Sequence, residues 1–193
     1  LLMIAASLES AAEHPRASAV VAAAKEKNLP TQPISDFEQT AGQGIAAKIG
    51  KKLYLAGNVR MVEAFGLTPP PAISAAAQQS AESGETPLFI GQAPQEDAPG
   101  MLLGLLGLAG PIKPDSAAAI AALKKLGIEV TLLTGDNQTT ANAVAKRAGI
   151  DRVIAGVLPS GEANEIARLL AMGKRVLMVG DGVSDAPALA RAD

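Results

Sequence analysis

Two short acidic segments in the second half of the chain have the spacing best suited to chemistry. One is Thr134-Gly135-Asp136-Asn137; the other is Gly180-Asp181-Gly182-Val183-Ser184-Asp185. Each follows an apolar run, Val130–Leu133 and Val176–Val179, of the kind that forms a buried strand. In a doubly wound sheet, ligands bind beyond the carboxyl ends of the strands, so both turns would face one crevice. There Thr134 and the backbone N–H groups around Gly135 can hold a phosphoryl oxygen, with Asp136 in the same turn. Asp181 and Asp185 offer hard carboxylate oxygens that can hold Mg2+ beside it. A single Gly/Asp turn after a strand is ordinary turn chemistry. Two in this order, the second running on into Ala186-Pro187, are hard to read as turns alone.

The elements that must position these turns follow from the hydrophobic pattern. From Pro111 onward, helices over 116–126, 138–148 and 161–172, and one from about 186, alternate with strands over 129–133, 152–155 and 175–179. That alternation, with short loops, predicts a doubly wound parallel sheet. Before residue 110 the pattern differs. Helices are expected over 1–12, 15–27, 59–65 and 72–83. Strands are expected over 34–40, 44–49, 52–56, 88–91 and 101–109, which gives an α+β domain with an antiparallel sheet. Pro15 suits the first turn of a new helix, and Asn58 suits an N-cap. The chain is therefore expected to be an α/β protein of two domains, 1–110 and 111–193, with the break near Pro111–Pro114.

Composition narrows the function classes. The 193 residues are 48% hydrophobic and 19% charged with a net charge of −2, which suits a globular core and gives no footprint for nucleic acid. Cysteine is absent, so neither a disulfide nor a thiolate metal site can form. The longest apolar run, Met101–Ala109, is far short of the roughly 20 residues that span a bilayer. Leu1-Leu2-Met3-Ile4 lacks a basic flank and is followed by Glu9 and Glu13, unlike a signal peptide.

With these segments in view, a family resemblance emerges. Leu132–Asn137 and Val179–Leu189 closely resemble the phosphorylation domain of P-type ATPases, which belongs to the haloacid-dehalogenase-like class. Leu8–Ala17, with Glu13-His14-Pro15, resembles the Ser-Glu-His-Pro segment of the heavy-metal branch. Gly42-Gln43-Gly44-Ile45 resembles its Gly-x-Gly nucleotide loop, and Leu55-Ala56-Gly57-Asn58 its Gly-Asn segment. The resemblance covers nearly the whole chain. It implies that 1–110 is a nucleotide-binding domain and 111–193 a partial phosphorylation domain. It also implies that Glu9, His14, Gly42, Gly44, Gly57 and Asn58 line the adenosine pocket for ATP or ADP. Thr134, Gly135, Asp136 and Asp181 would be the catalytic group, with Asp181 and Asp185 as Mg2+ ligands. These roles are physically compatible: Glu9 can accept from the adenine amine, and glycines let backbone approach a ligand closely. For a lone histidine, the competing reading of His14 is a surface or helix-cap role.

The resemblance further implies a parent enzyme that couples ATP hydrolysis to heavy-metal transport. Copper, as Cu(+), is expected because Ile154–Pro159 is phrased like the copper pumps. The fragment would lie at the cytoplasmic face of a membrane, working with transmembrane and actuator domains, without nucleic acid and without membrane contact of its own. Four departures stand out. The sequence has no Asp-Lys-Thr-Gly-Thr segment, which carries the phosphorylated aspartate; the chain is expected to begin just after it and to lack a central strand. Glu162 stands where the family has a catalytic lysine, Ser184 where it has asparagine, and Gly110-Pro111 where it has Asp-Pro. The isolated chain is thus expected to be catalytically incompetent. Two other readings remain: a non-catalytic adenine-nucleotide-binding module, and a haloacid-dehalogenase-like phosphatase with a cap.

Overall fold

The computed structural model describes residues 1–193 except Glu13, Asp97, Asp181, Val183 and Ser184. The chain divides into two compact units, Leu1–Gly110 and Pro111–Asp193. Two of the sequence-derived positions, Asp181 and Ser184, lie outside the described residues.

The first unit is built on a five-stranded antiparallel sheet. Its strands β1 (Ile34–Thr40), β2 (Gly44–Ile49), β3 (Lys52–Gly57), β4 (Glu85–Gln92) and β5 (Met101–Ala109) pair in chain order. Side chains alternate across the pleat, and this produces two cores. Ile45, Ala47, Ala56 and Ile90 face helices α1 (Leu2–Glu9) and α2 (Pro15–Glu26), packing with Ala5, Ala6, Leu8 and Val20. The intervening Ala46, Leu55 and Phe89 face the other way, onto Met61 and Val62 of α3 (Val59–Ala64) and onto Leu67. Helix α4 (Pro71–Glu82) lies against β4 and β5. Burying side chains such as Leu8, Leu55 and Ile90 contributes roughly 1.5–3 kcal/mol each.

Two boundaries differ from the sequence reading for visible reasons. Helix α1 stops at Glu9 instead of running to residue 12. The Ser10 hydroxyl donates to the Ser7 carbonyl at 2.7 Å, a local bond that competes with helix continuation. Strand β4 begins at Glu85, ahead of Pro87, which a central strand would not tolerate. Pro87 pairs with Gly107 of β5, while β3 pairs only with Phe89–Gln92, so Pro87 lies on a locally free edge.

In the second unit, β6 (Thr131–Leu133) and β7 (Arg152–Ile154) form a parallel pair joined by α6 (Gln138–Ala148). Helices α5 (Ser116–Lys125), α7 (Pro159–Ala171) and the short α8 (Ala186–Leu189) complete it. The expected strand over 175–179 does not form. Residues 175–179 join no ladder; Val176 instead donates its N–H to the Asp193 carboxylate and accepts from the Asp193 N–H. Leu177 and Val179 are 82% and 83% exposed. An apolar period reports what a segment could bury, but a strand also needs a neighbour to bond with.

Candidate functional site

In the first unit, the C-terminal end of α1 and the start of α2 bring Glu9 and His14 together. His14 is the N-cap of α2, its Nδ1 accepting from the Ala17 N–H at 3.0 Å. The helix-cap reading of this histidine is therefore realised. An accepting Nδ1 is unprotonated, so neutral His14 carries its proton on Nε2. Nε2 lies 3.4 Å from Glu9 Oε2. Burial first, and then the charge of Arg16, hold the imidazole below its ordinary pKa, in keeping with the neutral cap.

Glu9 is only 4% exposed, and its Oε2 has no hydrogen-bond partner. Burial pushes its carboxyl up to about 7; the Arg16 charge opposes that shift without cancelling it. A buried, incompletely satisfied carboxyl opposes folding, which makes Glu9 a candidate functional group.

The glycine positions form a second cluster where β2 and β3 meet. Gly44 pairs with Gly57 in the ladder. Gly44 has φ +153°, and a Cβ there would collide with the Ala56 carbonyl oxygen. A Cβ on Gly57 would lie 2.6 Å from the Gln43 carbonyl oxygen. Asn58 joins the pieces: its amide donates to the Gly42 carbonyl at 2.8 Å, while its Oδ1 accepts from Arg60 and Met61 as N-cap of α3. Gly42 itself has φ +69°. Gly42, Gly44, Gly57 and Asn58 thus make one side-chain-poor backbone surface. Helix α1 packs on the same two strands that end there.

In the second unit, the Thr134–Asp136 turn is stitched to the loop after β7. The Thr134 N–H donates to Ile154 O at 3.0 Å, Val157 N–H to Thr134 O at 3.1 Å, and Gly156 N–H to Asp136 O at 2.8 Å. Thr134 Oγ1 accepts from the Asp136 N–H at 3.1 Å. Asn137 caps α6 through Thr140, whose burial fixes the helix start beneath the turn. Thr134, Gly135 and Asp136 therefore sit at the carboxyl end of β6, where the sequence reading placed them.

The Asp185 carboxylate accepts from the Gly182 N–H at 3.0 Å and so closes the turn before α8. Glu162, in the first turn of α7, faces it. Burial, and then the Asp185 charge, raise the Glu162 pKa, and Glu162 Oε2 is shielded with no hydrogen-bond partner. The sequence singles out Glu162 only through the resemblance, which implies a lysine at that position. Its meeting with Asp185 depends on how α7 packs on α8. Among the described residues no group of three or more ligating side chains converges. Asp185 and Glu162 nevertheless present hard oxygens, a donor chemistry that fits Mg2+.

Comparisons with known proteins identify the family. The family model for a haloacid dehalogenase-like hydrolase matches residues 2–193. The chain is 41% identical over 193 residues to the copper-exporting P-type ATPase of Bacillus subtilis, covering all of this chain and 23% of that one. It is 42% identical over 193 residues to the copper-transporting P-type ATPase of Rhizobium leguminosarum bv. viciae, again over its whole length and 22% of the relative. It therefore spans less than a quarter of each. A solved structure of the catalytic domain of the CPx-ATPase CopB-B, described for its conformational changes upon nucleotide binding, superposes with a TM-score of 0.69. Identity there is 25%, over 99% of this chain and 64% of that one.

Proposed function

The chain belongs to the haloacid dehalogenase-like hydrolase family, and from that premise we propose that it is the ATP-handling portion of a P-type ATPase that moves Cu(+) across a membrane. Whole-length identity to copper-exporting and copper-transporting relatives supports this reading. The structural observation that carries it is the buried Glu9 carboxyl, unsatisfied at Oε2 and set against a neutral His14. In this reading the first unit binds adenine nucleotide. Glu9 takes the adenine amine, His14 orients the base, and the Gly42–Gly44 and Gly57–Asn58 backbone lies along the rest of the nucleotide. In the second unit, Thr134 and the N–H groups around Gly135 hold phosphoryl oxygens. Asp185, with Asp181 outside the described residues, would hold Mg2+, which supplies charge neutralisation at the phosphates when bound. The transmembrane and actuator domains of the parent would be the working partners. Among the described residues no helix is long and apolar enough to cross a membrane.

Titration of the chain with ATP, ADP and GTP, followed by calorimetry and by amide NMR shifts, tests the reading. Binding of ATP in the micromolar-to-millimolar range is expected, with shifts at Glu9, His14 and Gly42–Asn58, and with GTP weaker. Absence of heat and of shifts at millimolar ATP would overturn it. Equal affinity for ATP and GTP would remove the adenine role from Glu9.

A further inference from the structure

One end of the second unit, at the amino ends of β6 and β7, is a rim of chain reversals. Helices α5 and α7 stop in the same way. The Ile128 N–H donates to Leu123 O at 3.1 Å and the Gly127 N–H to Lys124 O at 2.9 Å. The Lys174 N–H donates to Leu169 O at 3.2 Å and the Gly173 N–H to Leu170 O at 2.9 Å. Both glycines are left-handed, with φ +77° and +74°. Ion pairs gather the reversals into one surface: Glu129 accepts from Arg152 at 2.7 Å and from Lys174 at 3.0 Å, and Lys124 pairs with Asp151.

This rim leaves three large apolar side chains in water: Leu126 is 76% exposed, Met172 60% and Ile128 46%. Lys124, Lys125, Arg152, Lys174 and Arg175 surround them against Glu129, Asp151 and Asp193, whose carboxylate accepts from the Val176 N–H. That is an excess of two positive charges in a chain whose net charge is −2. The helix dipole accounts for lysines in the last turn of α5. It does not account for Arg152, Lys174 and Arg175, which lie outside the helices, nor for leucine and methionine at helix C-caps pointing to solvent.

We propose that this rim docks the second unit on the surface of an anionic phospholipid bilayer. Leu126, Ile128 and Met172 enter the headgroup region while the flanking lysines and arginines meet lipid phosphates. Apolar tips ringed by cations on long aliphatic stems match an interface that is apolar beneath and negative on top. An acidic protein surface would use the cations and leave the apolar tips without a role. The Thr134–Asp136 turn lies at the opposite, carboxyl end of β6, so docking leaves it open to solution. The sequence alone pointed to no membrane contact by this fragment. The inference rests on no assumption about nucleotide or metal.

The test is co-sedimentation of the full 193-residue chain with vesicles of phosphatidylcholine alone and of phosphatidylcholine with about one-third phosphatidylglycerol. Binding is expected only to the anionic vesicles, and should weaken as salt rises. Lys125→Glu with Arg175→Glu should lower partitioning by about five-fold or more for each charge. Leu126→Gln with Met172→Gln should lower it several-fold at unchanged melting temperature, and Lys52→Glu in the first unit should leave it unchanged. No partitioning into anionic vesicles at low salt overturns the proposal. So does partitioning that the Leu126→Gln/Met172→Gln pair fails to move. Soluble polyglutamate bound as tightly as the vesicles would assign the rim to an acidic protein instead.

Discussion

Replacing Glu9 by glutamine should stabilise the first unit at alkaline pH and have little effect at acid pH. In the fold the carboxyl titrates at about 7, against an ordinary 4.5. As pH rises past 4.5, the unfolded chain gives up this proton while the folded chain keeps it until about 7. Each step between those values therefore favours the unfolded state. The stability present below pH 4.5 is lost by the time pH passes 7, and the difference amounts to roughly 3 kcal/mol. Glutamine keeps the shape of the neutral acid and cannot ionise. At pH 8 the variant should therefore gain about that amount, on the order of 10 °C in melting temperature for a unit of this size. At pH 4.5 the two proteins should melt together. The opposite trend comes from His14, whose lowered pKa removes stability as pH falls below its ordinary 6.5. That contribution is common to both proteins and cancels in the comparison. Thermal melts by circular dichroism across pH 4.5–8.5 would decide it. Parallel pH profiles for the two proteins would show that Glu9 ionises in the fold as it does in water, and the argument from its burial would be wrong.

The remaining expectations follow from single contacts. His14→Ala should cost about 1 kcal/mol through the lost cap of α2, whereas His14→Asn can keep the cap. If the asparagine variant melts normally and binds ATP as tightly as the parent chain in calorimetry, the cap is the whole role of His14. Gly44→Ala places a Cβ against the Ala56 carbonyl at φ +153°, and should cost about 2–4 kcal/mol in urea unfolding. A loss under about 0.5 kcal/mol would contradict the close approach of β2 and β3. Glu162→Lys should relieve the repulsion with Asp185 and tighten inorganic phosphate by about tenfold, the worth of one charge-assisted hydrogen bond. Unchanged phosphate shifts at Thr134 and Gly135 by NMR would refute it. A polypeptide of these 193 residues should take up no acid-stable, hydroxylamine-sensitive label from γ-labelled ATP, because no Asp-Lys-Thr-Gly-Thr segment is among them. Label on that polypeptide would refute this.

The elements readable from the sequence were those with strong local causes. Strands β1, β2 and β3 are separated by glycine turns, and α2, α3 and α6 start at His14-Pro15, Asn58 and Asn137. Capping side chains and positive-φ glycines act within a few residues, so a single sequence displays them. What failed depended on partners distant in the chain. The strand expected over 88–91 runs from Glu85 to Gln92, because the short pairing of β3 leaves Pro87 on an edge. Residues 175–179 read as a strand until no ladder partner is found for them. The site shows the same division. Gly42, Gly44, Gly57 and Asn58 carried a local signature, and they do meet. The burial of Glu9 and the meeting of Glu162 with Asp185 are tertiary facts, invisible to spacing.

Glu9 Oε2 and Glu162 Oε2 are the shielded side-chain oxygens without hydrogen-bond partners among the described residues, one in each unit. An unsatisfied buried oxygen costs about 1–3 kcal/mol, and an apolar side chain of similar size would avoid that cost. Folding thus gives no reason for Glu9, whereas Glu162 also complements the N-terminal dipole of α7. Glu9 sits against His14, where an incoming donor such as an amino group would satisfy it. Glu162 sits against Asp185, and there the charge pattern departs from the one the resemblance implies. A lysine at 162 would draw an anion toward the Thr134 turn. Glu162 and Asp185 instead repel anions and favour a cation. The two units therefore make separate demands on their ligands. On the proposed reading, the first unit needs no further group before it takes a nucleotide. On the same reading, the second would hold phosphate well only when a cation is bound first or when residue 162 is changed. Phosphate titrations of the 193-residue chain with and without Mg2+ distinguish these orders. Phosphate shifts equally large in both conditions would show that Glu162 does not govern the site.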